Sequence, residues 1–277
     1  MKQLLRQAIH KISRDWNKKK VFPIIQEISI TNLLSNQVAL ITGGSGGIGR
    51  AIVDTFIKSG CKVIVVSRDE KTLKKLCSEY PQDQIAYLTF DLSHLKEIDS
   101  FVTQVVKVFG KINILVNSAG THTSNVDFWT VSEEEYDRVL NINLKGCYFL
   151  SRSVAKYFIN NHIYGHILNI GSSTGNEPSW SPYRISKRGI VGLTEGMAMQ
   201  LSPYGITVNG IAPGQVATNM IGWHEGASTE TLHNTLGRMI MPQEVANLAL
   251  FMVSNLGNMI SGQMIYISGG RGVFDIR

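Results

Sequence analysis

No apolar run in this 277-residue chain approaches the ~18 residues needed to cross a bilayer, so no membrane-spanning helix is expected. Cysteine is scarce. Cys61, Cys77 and Cys147 form an odd set without metal-ligand spacing, which argues against a disulfide framework and suits reduced thiols of an intracellular, cytoplasmic protein. The histidines are scattered as well. His122, His162, His166, His224 and His233 do not cluster with Cys or acids at ligand spacing, and no metal site is expected. Internal repeats and low-complexity linkers are missing. Acidic residues are sparse at the start: residues 1–36 carry seven Lys or Arg against two acids, which is five of the six net positive charges. The rest of the chain is close to neutral, so the basic balance gives no ground for nucleic-acid binding by the main domain.

What is present is a globular composition, 43% hydrophobic and 17% charged. The basic segment reads as an amphipathic helix, with Leu5, Ile9, Ile12 and Trp16 at helical spacing, ended by Lys18 to Lys20 and broken by Pro23. Three roles stay open for it: packing on its own domain or on a neighbouring subunit, peripheral membrane contact, or organelle targeting. We divide the chain into this extension, 1–36, and one domain, 37–277.

From Gln37 onward, short apolar strands alternate with helical patterns. Strands are expected at 38–41, 62–66, 84–90, 112–116, 166–170, 206–211 and 264–267. Helices are expected at 48–59, 69–80, up to 109, within 133–157, up to 201 and at 243–254. This alternation implies an α/β fold: a Rossmann-like, doubly wound parallel sheet with helices on both faces. Such sheets bind ligands beyond the carboxyl ends of their strands.

The first strand runs into Thr42-Gly43-Gly44-Ser45-Gly46-Gly47-Ile48-Gly49 and then a helix. That is the context of a phosphate-binding turn: missing Cβ atoms let backbone approach a pyrophosphate, and the helix N-terminus offers free N–H groups. The second strand ends at Ser67-Arg68, where an acid would grip the ribose 2′-hydroxyl of NAD. A guanidinium there suits a 2′-phosphate, which favours NADP(H), although Asp69 and Glu70 lie close by and leave NAD(H) open.

Further on, Tyr183 and Lys187 stand one helical turn apart, and the lone strand-end Ser172 precedes Tyr183 by eleven positions. A nearby ammonium favours the phenolate, so Lys187 is expected to make Tyr183 a better acid. Ser173 is the rival to Ser172 within the same turn.

With these residues in place, the chain resembles the short-chain dehydrogenase/reductase family, in its compact single-domain branch, over about residues 37–270. Thr42-Gly43-x-x-x-Gly47-x-Gly49 matches the family's cofactor turn. Asp91, followed by Leu92, matches its adenine-side acid. Asn117-Ser118-Ala119-Gly120 looks like the motif that steadies the sheet beside the cofactor. Asn143 matches its helix asparagine, and Ser172 with Tyr183-x-x-x-Lys187 matches its catalytic residues. Asn209, Pro213-Gly214, Val216 and Thr218 look like the segment covering the nicotinamide.

The resemblance implies that Tyr183 donates a proton to a substrate oxygen that Ser172 holds. Lys187 would bind ribose hydroxyls, Asn143 would anchor a water, and Thr218 would hold the carboxamide. It also implies a homo-oligomer, dimer or tetramer. The substrate would be a small carbonyl or alcohol; Trp180 and a lid over 221–236 with Trp223, His224 and Glu225 would shape its pocket. A 3-oxoacyl-carrier-protein reductase is the alternative, but Ile163 and Tyr204 occupy the positions where basic residues usually dock the acidic carrier. A sugar-nucleotide epimerase would need a longer C-terminal domain. A dinucleotide sensor without turnover would be expected to lack Tyr183 or Lys187.

Overall fold

Residues 32–273 are described by the computed structural model. The helix expected within 1–36 therefore lies almost wholly outside the described residues. β1 (Val38–Thr42) is buried at every position, as its unbroken apolar run requires of a strand covered on both faces. β2 (Lys62–Ser67), β3 (Ile85–Thr89), β4 (Ile114–Asn117), β5 (His166–Ile170), β6 (Thr207–Pro213) and β7 (Met264–Ile267) complete a seven-stranded sheet. Its order is β3-β2-β1-β4-β5-β6-β7, and every pairing is parallel. The expected doubly wound sheet is thus present. The order reverses direction between β1 and β4, which opens a crevice at their carboxyl ends.

The helices are α1 (Gly47–Lys58), α2 (Glu70–Cys77), α3 (Ile98–Phe109), α4 (Glu133–Leu140), α5 (Cys147–Asn160), α6 (Pro182–Leu201) and α7 (Pro242–Val253). Their ends follow local chemistry. Asp69 caps α2 by accepting from the Lys71 and Thr72 amides, and Ser181 caps α6 ahead of Pro182 at its first turn. Gly110, at a φ of 77°, ends α3. One apolar core joins α1 and α7 to one face of the sheet through Phe56, Ile52 and Val245. The other joins α3, α5 and α6 to the opposite face through Val105, Phe158 and Ala198.

The structure departs from the sequence reading in two places that matter. Leu34 is only 1% exposed and belongs to the first core, so packing begins ahead of residue 37. The long helical pattern starting at Glu133 is not continuous: a π-helical turn, Asn141–Gly146, separates α4 from α5. A π-bulge inserts residues without ending the helix, and its wider turn leaves no periodicity to detect. Asn143 sits within it, 2% exposed.

Candidate active site

The glycine turn joins β1 to α1 at the crevice. Thr42 fixes it to β4: its hydroxyl accepts from the Ser118 and Ala119 amides, both at 3.2 Å, and donates to the Val116 carbonyl at 3.4 Å. Gly43 has a φ of 65° and lies so close to the loop after β4 that a Cβ would stand 2.7 Å from Ala119 Cα. At Gly49 a Cβ would stand 2.3 Å from the Gly43 carbonyl oxygen. Only glycine fits either place. Thr218 packs over Gly47 from above.

Beside this turn lies a cavity of about 180 Å³, lined by Thr42, Gly43, Ser67, Arg68, Asp91, Leu92, Ala119 and Gly120 among others. The Ser67 hydroxyl is buried and has no partner among the described residues. A buried donor left without a partner is costly unless a ligand meets it. Glycine-walled space, an orphaned hydroxyl and an arginine at the strand end together fit the ribose and phosphate of a dinucleotide. Arg68 is not isolated: Nη1 lies 3.7 Å from Asp91 Oδ2, and the guanidinium is largely exposed. Asp91 Oδ1 also accepts from the Ser93 amide at 2.9 Å, a local turn bond.

A larger cavity of about 640 Å³ opens next to it, and Ser172 and Tyr183 both line it, together with Ile48, Pro213, Gly214, Val216 and Thr218. Lys187 lies one turn below Tyr183 on α6 and is buried. Its Nζ donates to the Ile170 carbonyl at 2.8 Å and stands 5.8 Å from the centroid of the Tyr183 ring. Burial drops the Lys187 amine to about 8, with Cys147 opposing weakly.

Tyr183 behaves differently from the expectation of an activating lysine. Burial dominates and raises its phenol above the ordinary value; the Ser172 hydroxyl and the charge of Arg184 pull it back. Lys187 gives one of its N–H groups to the Ile170 carbonyl, and its own positive charge is disfavoured by burial.

Ser172, rather than Ser173, acts on this phenol, its hydroxyl pulling the Tyr183 pKa down. The Ser172 hydroxyl is also 2.9 Å from that of Thr174. Ser173 is buried, and its hydroxyl is unpartnered among the described residues.

Asn143 is tied down on three sides. Its Oδ1 accepts from the Thr121 amide at 2.8 Å, and Nδ2 donates to the Thr121 carbonyl at 2.9 Å and to Ser186 Oγ at 3.1 Å. Only a spare lone pair on Oδ1 is left for a water. Asn117 and Asn209 work inside the sheet. Asn117 donates to Asn169 and Ser151, and Asn209 ties β6 to Ile260 and Gln263. Neither lines the two cavities. Ser45 and Gly49 line neither of these two cavities. The Thr218 hydroxyl bonds back to the Val216 carbonyl at 3.3 Å rather than capping the turn after it.

Several wall residues had no signal in sequence. His122 stacks on the Tyr183 ring, with centroids 3.9 Å apart and planes 20° from parallel. Arg184, Arg271 and Met220 line the large cavity too, as do the expected Trp180 and, from the expected lid, Ile221 and His233. The expected lid residues Trp223, His224 and Glu225 do not; the Trp223 indole donates to the Ala227 carbonyl at 3.3 Å instead. Among the described residues, no three His, Cys, Asp or Glu gather as a metal would need.

A dinucleotide crevice beside a Ser-Tyr-Lys cluster on a parallel sheet defines an oxidoreductase of the hydride-transferring kind. Comparison with known proteins agrees. The short chain dehydrogenase family model matches residues 37–225, and the chain belongs to that family, whose members bind a nicotinamide dinucleotide. It is 34% identical over 241 residues to a 3-oxoacyl-acyl-carrier-protein reductase of Rickettsia bellii, covering 86% of this chain and 97% of that one. It is 31% identical over 248 residues to a subunit of the (2S)-((R)-hydroxy(phenyl)methyl)succinyl-CoA dehydrogenase of Thauera aromatica, covering 87% and 98%. A 3-ketoacyl-(acyl-carrier-protein) reductase from Brucella melitensis, solved with NADH, superposes with a TM-score of 0.79 at 30% identity, covering 87% of this chain and all of that one.

Proposed function

We propose that the protein interconverts a small carbonyl compound and its alcohol, with Tyr183 as the general acid and base and NADP(H) as the preferred cofactor. The observation that supports this most is that Ser172 and Tyr183 line one cavity while the Lys187 amine lies buried directly behind them. The glycine turn, Ser67, Arg68, Asp91 and Leu92 would hold the adenosine and phosphates. Pro213, Gly214, Val216 and Thr218 would cover the nicotinamide, and Tyr183 and Lys187 would reach its ribose. When bound, the cofactor supplies or accepts the hydride.

The chain's own residues do the rest. Ser172 donates a hydrogen bond to the substrate oxygen and fixes it beside Tyr183. Tyr183 gives its proton to that oxygen during reduction and takes it back during oxidation. Lys187, buried behind the phenol, would donate to the ribose hydroxyls of the cofactor. Asn143 holds the loop after β4 against α6, which keeps the wall in place.

A second reading, a 3-oxoacyl-carrier-protein reductase, draws support from the Rickettsia relative. Ile163 and the exposed Tyr204 supply no positive charge where an acidic carrier would dock. A screen of ketones, keto acids, sugars and β-keto thioesters with both nicotinamide cofactors, followed by absorbance of the reduced ring, tests both readings. Turnover of a small carbonyl with NADPH supports the first; preference for the carrier-linked thioester supports the second. Nucleotide binding without any turnover would leave a sensor. We further propose a homo-oligomeric assembly, with the segment ahead of residue 31 outside the catalytic unit.

A further inference from the structure

Arg184 and Arg271 come from distant parts of the chain to one wall of the large cavity. Arg184 follows Tyr183 directly on α6, and Arg271 lies in the segment after β7. Both grip the same carboxylate. Arg271 Nε donates to Glu177 Oε1 at 2.8 Å and Nη2 approaches Oε2 at 3.4 Å, while Arg184 Nη1 lies 3.2 Å from Oε2. Glu177 does not line this cavity; it lines the neighbouring hollow behind Arg184.

One carboxylate cannot neutralise two guanidinium groups. Arg271 keeps Nη1, and Arg184 keeps Nε and Nη2, without partners among the described residues. No Asp or Glu lines the cavity among the described residues, whereas His122 and His233 do. A guanidinium held by a carboxylate from behind is pre-organised to bind a second oxyanion in front. Arg184, Arg271 and Tyr183 line the same cavity, so an anion bound by the two arginines would share it with the reacting carbonyl.

From this arrangement we infer that the substrate carries an oxyanion, a carboxylate or a phosphate ester, close to its carbonyl carbon, and that Arg184 and Arg271 bind it with Glu177 as their support. This rests on the large cavity being the substrate site. The competing account is a structural tie that fastens the segment after β7 to the loop before α6.

Two measurements separate these accounts. The first compares kcat/KM for matched pairs: a keto acid and its methyl ester, and dihydroxyacetone phosphate and dihydroxyacetone. The wild type should prefer the anionic member of at least one pair, and which pair responds tells carboxylate from phosphate. Arg271→Gln and Arg184→Gln should each reduce that preference ~10- to 100-fold, the range for a lost charged hydrogen bond. Equal losses on both members of each pair, matched by a lowered Tm, would establish the structural tie instead. The second is calorimetric titration of malonate and of inorganic phosphate with oxidised nucleotide saturating. It needs no turnover, so it remains decisive if the proposed activity fails. Binding by the wild type that weakens tenfold or more in Arg271→Gln supports the oxyanion site. No binding of either anion at millimolar concentration overturns it.

Discussion

The imidazole of His122 lies face to face with the phenol of Tyr183, 3.9 Å between ring centroids. Burial, and then the charge of Lys187, lowers the imidazole pKa, which keeps the ring neutral at pH 7. A neutral aromatic plate against one face, with Ser172 near the hydroxyl, leaves the phenol little rotational freedom. The Tyr183 amide is held too, donating to Thr123 Oγ1 at 3.1 Å. Stacking of this kind contributes ~0.5–1.5 kcal/mol. His122→Ala should therefore lower kcat about two- to tenfold, while His122→Phe, which keeps the stack without a titrating group, restores it. Steady-state kinetics on the three proteins checks this. Equal loss in both variants would point to a chemical role for the imidazole.

The two adjacent serines separate cleanly. Ser172→Ala removes the hydroxyl that shares the cavity with the phenol and should cost ~10²–10³ in kcat. Ser173→Ala removes a buried hydroxyl with no described partner and should leave kcat within a few-fold. Reversal of that order would mean the catalytic serine had been assigned to the wrong neighbour.

Cofactor choice turns on Arg68. Its guanidinium shares the strand end with the unpartnered Ser67 hydroxyl and with Asp91. Arg68→Asp should place two carboxylates side by side, repel a 2′-phosphate and move the ratio of kcat/KM values towards NADH by tenfold or more. An unchanged ratio would remove Arg68 from 2′-phosphate recognition.

Lys187 gives a pH signature in the protein without nucleotide. Its amine titrates at about 8 when folded, against an ordinary 10.5. Between these values the unfolded chain holds a proton that the folded protein has released. Stability relative to a Lys187→Met variant should therefore rise with pH from about 8 to about 10.5 and be level below 8. Thermal melts of both proteins across that range measure it. A relative stability that falls over the same range would mean that the amine is not destabilised by burial.

Much of this was written in residue order. Parallel strands buried on both faces are nearly continuous apolar runs, so β1, β2 and β5 could be placed within a residue or so, and the glycines marked the turn. Tyr183 and Lys187 share a helix face and declare each other by spacing. The rest depends on contacts between distant segments. Arg271 and Glu177 meet across 94 positions, and His122 reaches Tyr183 across a loop with no periodicity. Asn117 ties the sheet as its motif implied, whereas Asn209, matched to the segment over the nicotinamide, instead ties β6 to Ile260 and Gln263. The π-helical turn at Asn143 was hidden because its neighbours on both sides are ordinary helix.

Proton transfer by Tyr183 is the step on which the functional account rests, and removing one oxygen atom tests it. Using a carbonyl substrate that the wild type reduces with NADPH, single-turnover rates should be compared with those of Tyr183→Phe, alongside nucleotide affinity by fluorescence. The account predicts a fall of ~10²–10⁴ in rate with affinity little changed, the range for loss of a positioned acid. A variant that reduces the substrate at close to the wild-type rate would contradict it.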